Sequence, residues 1–243
     1  RNAHAAAWPR LDASGMRLAH MVPGGAPPFD LRIRFVGVWD TVGALGIPGN
    51  LSFLSRKKYE FHDTALSRAV QYARHAVAID ERRNSFKPTL WSNLAEINRA
   101  SLAAGHAPRV RQAWFPGDHG CVGGGGVSRA LSNCALLWVL EGAEEAGLKL
   151  SREPGSVVSA CLADVDPIHG PLQARPGFNL TAALGAWRGG LDTFEDLHET
   201  AELRWMGNHK YRPGPLKQFR ARFKELVNEL QQTTPARGRR TVE

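Results

Sequence analysis

The sequence contains only three cysteines, and no two of them lie close together in the sequence. Cys121, Cys134 and Cys161 form no C-x-x-C motif. An odd number of cysteines without that motif argues against both a disulfide framework and a structural zinc site. The composition therefore fits synthesis in a reducing compartment.

Long apolar runs are also missing. No stretch of about 18 apolar residues is present, so the sequence predicts no membrane-spanning helix. The segment from Asn2 to Met21 lacks the charged-then-apolar order of a signal peptide. The chain starts at Arg1 rather than at a methionine, so we expect it to be a piece of a longer protein. Its 243 residues, 43% of them hydrophobic, suffice to bury one sizeable core.

Acidic residues are fewer than basic ones, and the formal net charge is +8. The basic residues are spread along the chain, with a mild concentration from Lys210 to Arg240. No zinc-finger, RNA-recognition or helix-turn-helix signature accompanies them, which disfavours direct nucleic-acid binding. A solvated basic surface or attraction to anionic lipid headgroups explains the charge equally well.

Two apolar runs end in residues that can carry acid–base chemistry. The strand predicted over Leu31–Trp39 leads into Asp40, and the strand predicted over Val110–Phe115 leads into His119. In an open α/β sheet the carboxyl ends of parallel strands meet at one edge, where active sites gather. We therefore expect Asp40 and His119 to lie within bonding reach, as an acid that orients a histidine.

The remaining pattern predicts one domain with flanking segments. Residues 1–30 form a loop-rich N-terminal segment, 31–232 an α/β domain and 233–243 a polar, basic tail. Helices are predicted over residues 63–79 and 94–104, from Ser128 or Ser132 to about residue 146, and from Leu216 onward, with loops and short helices over 150–215. The first of these helices is expected to be the crossover between the two predicted strands.

The serine that such an acid and histidine serve is not evident. Before Asp40 the only serine is Ser14, which lacks a preceding strand and the glycines of a G-x-S-x-G elbow. Ser128 follows Gly126 at elbow-like spacing, but it lies after the histidine and follows a glycine loop. It remains an alternative nucleophile, and capping of the next helix explains it more simply.

Four passages together resemble one family. They are Phe35–Ala44, Arg74–Arg83 with Phe86 and Pro88, Trp114–His119 leading to Val122–Gly125, and Tyr211–Pro213. The chain from Leu31 to Leu216 is similar to the bacterial and fungal α/β-hydrolase family, formerly of unknown function, that includes the type VI secretion phospholipase effectors. Four motifs in the right order are more specific than any one of them.

The resemblance implies an α/β-hydrolase-like fold, a mostly parallel sheet with flanking helices, of which this chain is the carboxyl-terminal portion. It implies a serine hydrolase acting on carboxylic esters, a lipase or phospholipase without a cofactor, in which Asp40 and His119 are the triad acid and base. The serine, on the missing N-terminal part of the fold, lies upstream. The residues expected to line the substrate pocket are Trp39, Thr41, Asp118, Gly123 and Gly124.

The resemblance also bears on partners and location. The expected substrate is an ester or a phospholipid, with peripheral membrane contact. The protein would be made in the bacterial cytoplasm and delivered outward by a secretion system. Two departures stand out: the family's serine elbow is missing, and Gly120-Cys121 stands where the family has Ser-Asp.

Several alternatives stay open. His198 competes with His119 for the catalytic role, whereas His75, on the predicted helix, is interpreted as a packing histidine. Asp164, Asp166 and His169 form a D-x-D-P-x-H group that turn residues explain more simply than a metal ion does.

Two other functions remain to be weighed against the serine hydrolase. One is a catalytically inactive hydrolase-fold module that binds anionic surfaces. The other is a metal-dependent hydrolase built on Asp40, Asp118, His119 and Asp164.

Overall fold

The computed structural model describes residues 32–42, 64–175, 177 and 180–233. The predicted loop-rich segment 1–30, with Ser14, and the tail beyond residue 233 lie outside this part. The strands are β1 (Ile33–Trp39), β2 (Val70–Ala78) and β3 (Val110–Phe115). The α-helices are α1 (Leu94–Ala103), α2 (His119–Gly123), α3 (Ala130–Glu145), α4 (Val157–Ala163), α5 (Leu180–Ala183), α6 (Glu199–Gly207) and α7 (Arg220–Thr233). Two 3₁₀ helices span Phe194–Asp196 and Gly214–Phe219.

The described strands form one parallel sheet in the order β1-β2-β3. Trp39 of β1 is opposite Ala76, and Ala78 of β2 is opposite Phe115. The carboxyl ends of all three strands therefore reach the same edge of the sheet. A parallel sheet with helices around it places the chain in the α/β class, as predicted.

The predicted helix over residues 63–79 is wrong, because most of this segment is the central strand β2. The residues of β2 are buried on both faces of the sheet, so its apolar positions do not alternate with polar ones. Two polar side chains inside the strand obscured the pattern further. Arg74 and His75 are fully buried, and each is held by hydrogen bonds.

Helix α3 covers one face of the sheet. Its Ala135, Trp138 and Val139 pack with Ala76 of β2 and Phe115 of β3. The helix comes close to β2 because Gly142 faces Arg74: a Cβ at Gly142 would lie 2.4 Å from the Arg74 Cγ. The Arg74 guanidinium lies over the Trp138 ring and pairs with Glu145.

The opposite face is covered by the carboxyl-terminal third of the chain. Val77 and Trp114 from the sheet pack with Trp205 of α6, Phe223 of α7 and Leu216. The predicted helices near residues 94–104, 128–146 and beyond 216 are confirmed as α1, α3 and α7, the last preceded by a 3₁₀ turn. Within the described ranges, no helix combines the length and the apolar character that a membrane crossing requires.

Candidate active site

Acidic residues and a histidine follow the carboxyl ends of the three strands. Asp40 comes directly after β1, Asp80 and Glu81 come shortly after β2, and His119 comes after β3 at the start of α2. Since the sheet is parallel, these side chains are delivered to one edge. The expectation that Asp40 and His119 lie within bonding reach is met: His119 Nδ1 is 2.6 Å from Asp40 Oδ2.

Asp40 sits in an unusual backbone conformation. Its φ is +46°, and no other non-glycine residue in the described part has a positive φ. Left-handed backbone is uncommon for residues with a Cβ and recurs at functional sites, where the surroundings hold it in place. Here the Asp40 amide donates to the Ala76 carbonyl at 2.7 Å, which extends the β1–β2 ladder by one bond.

The Asp40 carboxylate accepts four hydrogen bonds. The Ala78 amide donates to Oδ1 at 2.8 Å, and Arg188 donates from Nη1 to Oδ1 at 2.5 Å and from Nη2 to Oδ2 at 2.9 Å. The fourth comes from His119. An ionised carboxylate offers about four lone-pair sites, so all of its acceptor capacity is used.

These donors keep Asp40 ionised even though the side chain is fully buried. Burial alone would raise its pKa, but the hydrogen bonds from His119 and Arg188 outweigh burial and hold the pKa below its ordinary value. A carboxylate without a proton can only accept a hydrogen bond. The proton in the contact therefore belongs to His119 Nδ1, so that in the neutral imidazole the lone pair is on Nε2.

His119 is held from three sides. Its backbone amide donates to Glu81 Oε2 at 3.3 Å, and its ring meets the Phe86 ring edge to face at 4.9 Å. Its side chain is 31% exposed, and Nε2 has no hydrogen-bond partner among the described residues. The one nitrogen that can act as a base is thus left open to the cavity described below.

Glu81 links the His119 backbone to the Arg83 guanidinium. It is buried and accepts two bonds from the Arg83 guanidinium, at 2.8 and 2.6 Å. Burial acts to raise the pKa of Glu81, but the Arg83 hydrogen bonds lower it overall. Arg83 in turn lies 3.7 Å from the centre of the Phe86 ring. The wall beside His119 is therefore built from residues that fix one another.

The pKa of Asp80 shifts in the opposite direction to that of Asp40, although the two residues follow neighbouring strands. Its Oδ2 accepts from the Gly117 amide at 2.7 Å and from the Tyr211 hydroxyl at 3.0 Å. Desolvation dominates there and raises the pKa of Asp80 to about 6. Among the residues that the structure describes, no guanidinium bonds this carboxylate, which explains why the two pKa values shift in opposite directions.

A cavity of about 380 Å³ opens beside His119. Its walls come from the loop after β2, from α2 with the following glycines, and from residues 173–175. They include Glu81, Phe86, Asp118, Gly125 and Arg175. No serine, threonine or cysteine is among the described lining residues, so the cavity holds a base without an evident nucleophile.

The predicted pocket residues are only partly at this cavity. Asp118 lines it and also caps α2, because its Oδ1 accepts from the Cys121 amide at 2.8 Å. Gly124 ends α2 with φ +82°, and neighbouring Gly120 and Gly125 line the wall rather than Gly123 and Gly124.

The two predicted pocket residues at the end of β1 are not among those that line the cavity. Trp39 packs against the core under α3. Thr41 donates its amide to His75 Nε2 at 3.3 Å. Buried His75 bonds Gln112 through Nδ1 at 3.0 Å, and burial lowers its pKa, as suits a packing histidine.

The two alternative catalytic residues lie elsewhere. Ser128 does not line the cavity, and its Oγ accepts from the Ala130 amide at 3.4 Å at the start of α3. His198 caps α6, accepts from the Thr200 amide through Nδ1 and stacks on Phe115 at 4.1 Å. Burial lowers the pKa of His198 to about 4, so this ring is neutral at physiological pH.

The D-x-D-P-x-H group forms a turn. Asp166 Oδ1 accepts from the Ile168 and His169 amides at 3.2 and 2.8 Å. The part of the chain that the structure describes contains no group of three or more His, Cys, Asp or Glu residues placed to hold a metal ion.

Sequence reasoning missed Arg188, which makes the most contacts to Asp40. It is 9% exposed and also donates to the carbonyls of Ala78 and Phe86. It lies 148 residues from Asp40 in a stretch without periodicity, so no spacing could have linked the two. The nearest signal was the Gly189-Gly190 pair that follows it, which is typical of a turn.

Comparison with known proteins finds a family match over part of the chain. Residues 24–142, just under half of the chain, match the family model described as "T6SS, Phospholipase effector Tle1-like, catalytic domain". Searches of curated proteins and of solved structures find no match. The family resemblance drawn from the sequence motifs is thus confirmed over that region, and it indicates a phospholipase-type function. Asp40, His119 and Glu81 lie inside the matched region, whereas Arg188 lies beyond it.

Proposed function

We propose that this chain supplies the acid and the histidine of a serine hydrolase site that cleaves the acyl esters of phospholipids. In this proposal Asp40 is the orienting acid, His119 is the general base and acid, and Arg188 positions Asp40. The fold around them is an α/β-hydrolase fold of which this chain forms the carboxyl-terminal portion. The nucleophilic serine stands on a G-x-S-x-G elbow upstream of Asp40, outside the described residues.

One observation carries the proposal. His119 Nδ1 lies 2.6 Å from a carboxylate that four donors keep ionised, while Nε2 is open to a cavity. Such an acid fixes the imidazole tautomer and stabilises the imidazolium that forms when Nε2 takes a proton. It does not itself take the proton, because the hydrogen bonds from His119 and Arg188 hold its pKa below the ordinary value.

The reaction then follows the two halves of acyl transfer. As the serine oxygen attacks the ester carbonyl, its proton passes to His119 Nε2, which returns it to the departing lysophospholipid alcohol. A water molecule then attacks the acyl-serine and gives its proton to Nε2. That proton returns to the serine as the fatty acid leaves. Asp40 stays an anion throughout.

A sharp test compares this chain with a version extended upstream to include the predicted elbow. The extended protein should hydrolyse short-chain esters and phospholipid, and the 243-residue chain should be nearly inert. Loss of a triad histidine lowers turnover by up to about a millionfold in a serine protease, so we expect His119→Ala to abolish measurable hydrolysis in the extended protein. A matched His198→Ala variant should keep most of the activity of the extended protein.

Three results would contradict the proposal. They are equal activity in the short and extended chains, activity that survives His119→Ala, and an upstream region that encodes no serine elbow. Mass spectrometry after a fluorophosphonate probe adds an independent readout, because the probe should label the elbow serine only when His119 is present.

One observation favours the alternative of an inactive module that binds anionic surfaces. A groove of about 620 Å³ at the amino edge of the sheet is lined by Arg32, Arg68, Arg99 and Arg109, with Glu96 as its only acid among the described lining residues. Arg68 pairs with Glu96, so part of the charge is neutralised. Salt-dependent liposome binding without hydrolysis, even in the extended protein, would favour this alternative.

A further inference from the structure

A buried histidine of the central strand lies next to the end of β1. His75 is fully buried in β2, and Gln112 of β3 is directly opposite it in the sheet. Side chains of residues in register project from the same face, and His75 Nδ1 is 3.0 Å from Gln112 Oε1. The Trp91 ring lies against the imidazole, with 5.2 Å between the ring centres. The ring is therefore held in one place.

The neighbours of His75 also fix its tautomer. The Trp91 amide donates to Gln112 Oε1 at 3.0 Å, so the atom of the Gln112 side chain that faces both residues must be the oxygen. Because that oxygen can only accept, His75 Nδ1 carries the proton and the lone pair of the neutral ring is on Nε2. Burial lowers the pKa of His75 and so favours this neutral form. His75 Nε2 is thus a hydrogen-bond acceptor at a defined position.

Two donors of Thr41 point at this acceptor. The Thr41 amide is 3.3 Å and the Thr41 hydroxyl 3.2 Å from His75 Nε2. In a regular strand successive amides point to opposite edges, so the Thr41 amide would point away from β2, to which Asp40 bonds. The left-handed turn at Asp40 brings the Thr41 amide to an acceptor on β2 instead. The imidazole therefore satisfies an amide that reaches it only because of this turn.

The backbone is anchored on both sides of Asp40. Before it, the Asp40 amide bonds the Ala76 carbonyl at 2.7 Å. After it, the Thr41 carbonyl accepts from the Thr89 amide at 2.7 Å, while the amide and hydroxyl of Thr41 bond the imidazole. A left-handed residue with a Cβ persists where its surroundings hold it. These bonds place the Asp40 Cα, and the Cα sets where the carboxylate can reach.

We propose that His75 is a positioning residue for the acid: through Thr41, its neutral imidazole holds the backbone turn that aims the Asp40 carboxylate at His119. The proposal rests on the proposed function for the use of that acid. His75 is not among the described residues that line the cavity, so it acts through Thr41 and Asp40 rather than on a substrate. Misplacement of catalytic groups by about 1 Å can lower a rate about a hundredfold.

Nuclear magnetic resonance of the 243-residue chain, labelled with ¹⁵N-histidine, tests the proposal without hydrolysis. The His119 Nδ1 proton lies in a short bond to a carboxylate, and such a proton resonates far downfield. His75→Phe keeps a ring beside Trp91 but offers no acceptor, so this signal should shift or disappear. His75→Gln can place an amide oxygen near the position of Nε2 and should keep more of the signal than His75→Phe does.

Kinetics of the upstream-extended enzyme give a second readout. His75→Phe should lower kcat between about tenfold and a hundredfold with little change in KM, because the altered group does not touch the substrate. His75→Gln should restore part of the loss. If His75→Phe does not fold, Gln112→Met replaces it as the test: it keeps the imidazole but removes the acceptor that fixes its tautomer. It should move kcat and the His119 signal in the same direction.

His198→Phe is the matched control. It replaces another buried, neutral imidazole by the same ring and removes a helix cap, so it should lower Tm. It lies outside the network of His75 and Thr41, so kcat and the His119 signal should stay as in the parent. A general loss of stability would affect both variants alike, whereas positioning affects only His75→Phe.

The proposal is wrong if His75→Phe, or Gln112→Met in its place, leaves the His119 signal and kcat unchanged. It is also wrong if His198→Phe lowers kcat as much as His75→Phe, or if His75→Gln is no better than His75→Phe. The spectra test positioning even when the extended protein hydrolyses nothing, a result that would defeat only the proposed function. Conversely, an extended enzyme whose His75→Phe variant is as active as the parent would defeat only the positioning.

Discussion

Replacing Arg188 with methionine tests the central contact of the site. The change removes the guanidinium and keeps an apolar stem of similar length. Asp40 then loses two of its four donors while staying buried, and the carbonyls of Ala78 and Phe86 lose a partner each. Removing one member of a buried ion pair costs about 3–5 kcal/mol, because the remaining charge is left uncompensated.

The predicted loss is large enough to measure by thermal or urea unfolding. For a chain of this size about 3–5 kcal/mol corresponds to a fall of about 6–20 °C in Tm. Arg188→Lys keeps the charge but not the two-pronged geometry, so it should lie between the parent and Arg188→Met. The double variant Asp40→Asn/Arg188→Met buries no lone charge and should recover part of the loss.

The pH dependence gives the same prediction a second readout. The folded pKa of Asp40 is below its unfolded value, so its ionised form contributes stability above about pH 4 that is lost as the pH falls through the folded pKa. Without Arg188 the folded pKa of Asp40 rises and this contribution shrinks. The stability difference between parent and Arg188→Met should therefore narrow below about pH 4.

Arg188→Met should also affect catalysis in the upstream-extended enzyme. A residue that positions the acid should lower kcat with little change in KM, because it does not touch the substrate. An Arg188→Met protein whose free energy of unfolding stays within about 0.5 kcal/mol of the parent would refute the reasoning, since that is the range of surface substitutions without a structural role. Strict additivity in the double variant would refute it as well.

Three further predictions concern groups outside the proposed triad. The pKa of His198 falls to about 4 on folding, so the free energy of unfolding should drop by about 3 kcal/mol as the pH is lowered from 6.5 to 4 and the buried ring takes up a proton. His198→Asn can still cap α6, and it should make the free energy of unfolding less dependent on pH in that range. The pKa of Asp80 rises to about 6 on folding, so its ionisation lowers the free energy of unfolding by up to about 3 kcal/mol above pH 6. In urea titrations Asp80→Asn should therefore raise stability more at pH 8 than at pH 4.5. An equal gain at both pH values would contradict this prediction. Gly142→Ala should lower Tm, because the clash with Arg74 costs about 1–3 kcal/mol, and Tm would instead rise if helix propensity dominated.

The sequence predicted the parts of the site that depend on strand ends. The two strands that lead into Asp40 and His119 could be recognised, because an apolar run followed by a polar residue and a turn is a local pattern. Their contact followed from the rule that parallel strands share a carboxyl edge. The helices α1, α3 and α7 were predicted from an equally local pattern, since each shows apolar residues at helical spacing.

The parts that were missed depend on contacts with no local signal. Strand β2 has buried residues on both faces, and its Arg74 and His75 are satisfied by Glu145 and Gln112, which lie far away in the sequence. A single sequence cannot show that a central arginine will be paired. The same holds for Arg188, whose role exists only because a distant loop folds over the end of β1 and β2.

The chemistry open to this edge follows from what each acid is already bonded to. Asp118 caps α2, Glu81 binds Arg83, and Asp80 accepts from Gly117 and Tyr211. Asp40 has no free acceptor site, so a metal ion could bind it only by displacing Arg188 or His119. Because such a displacement would break existing hydrogen bonds, the metal-dependent alternative is unfavourable. His119 is the one group here that an ionised, fully bonded acid orients through one nitrogen while its other nitrogen has no hydrogen-bond partner among the described residues. In the proposed function such a base activates a nucleophile. The upstream serine that we propose would serve as that nucleophile without breaking any of these bonds.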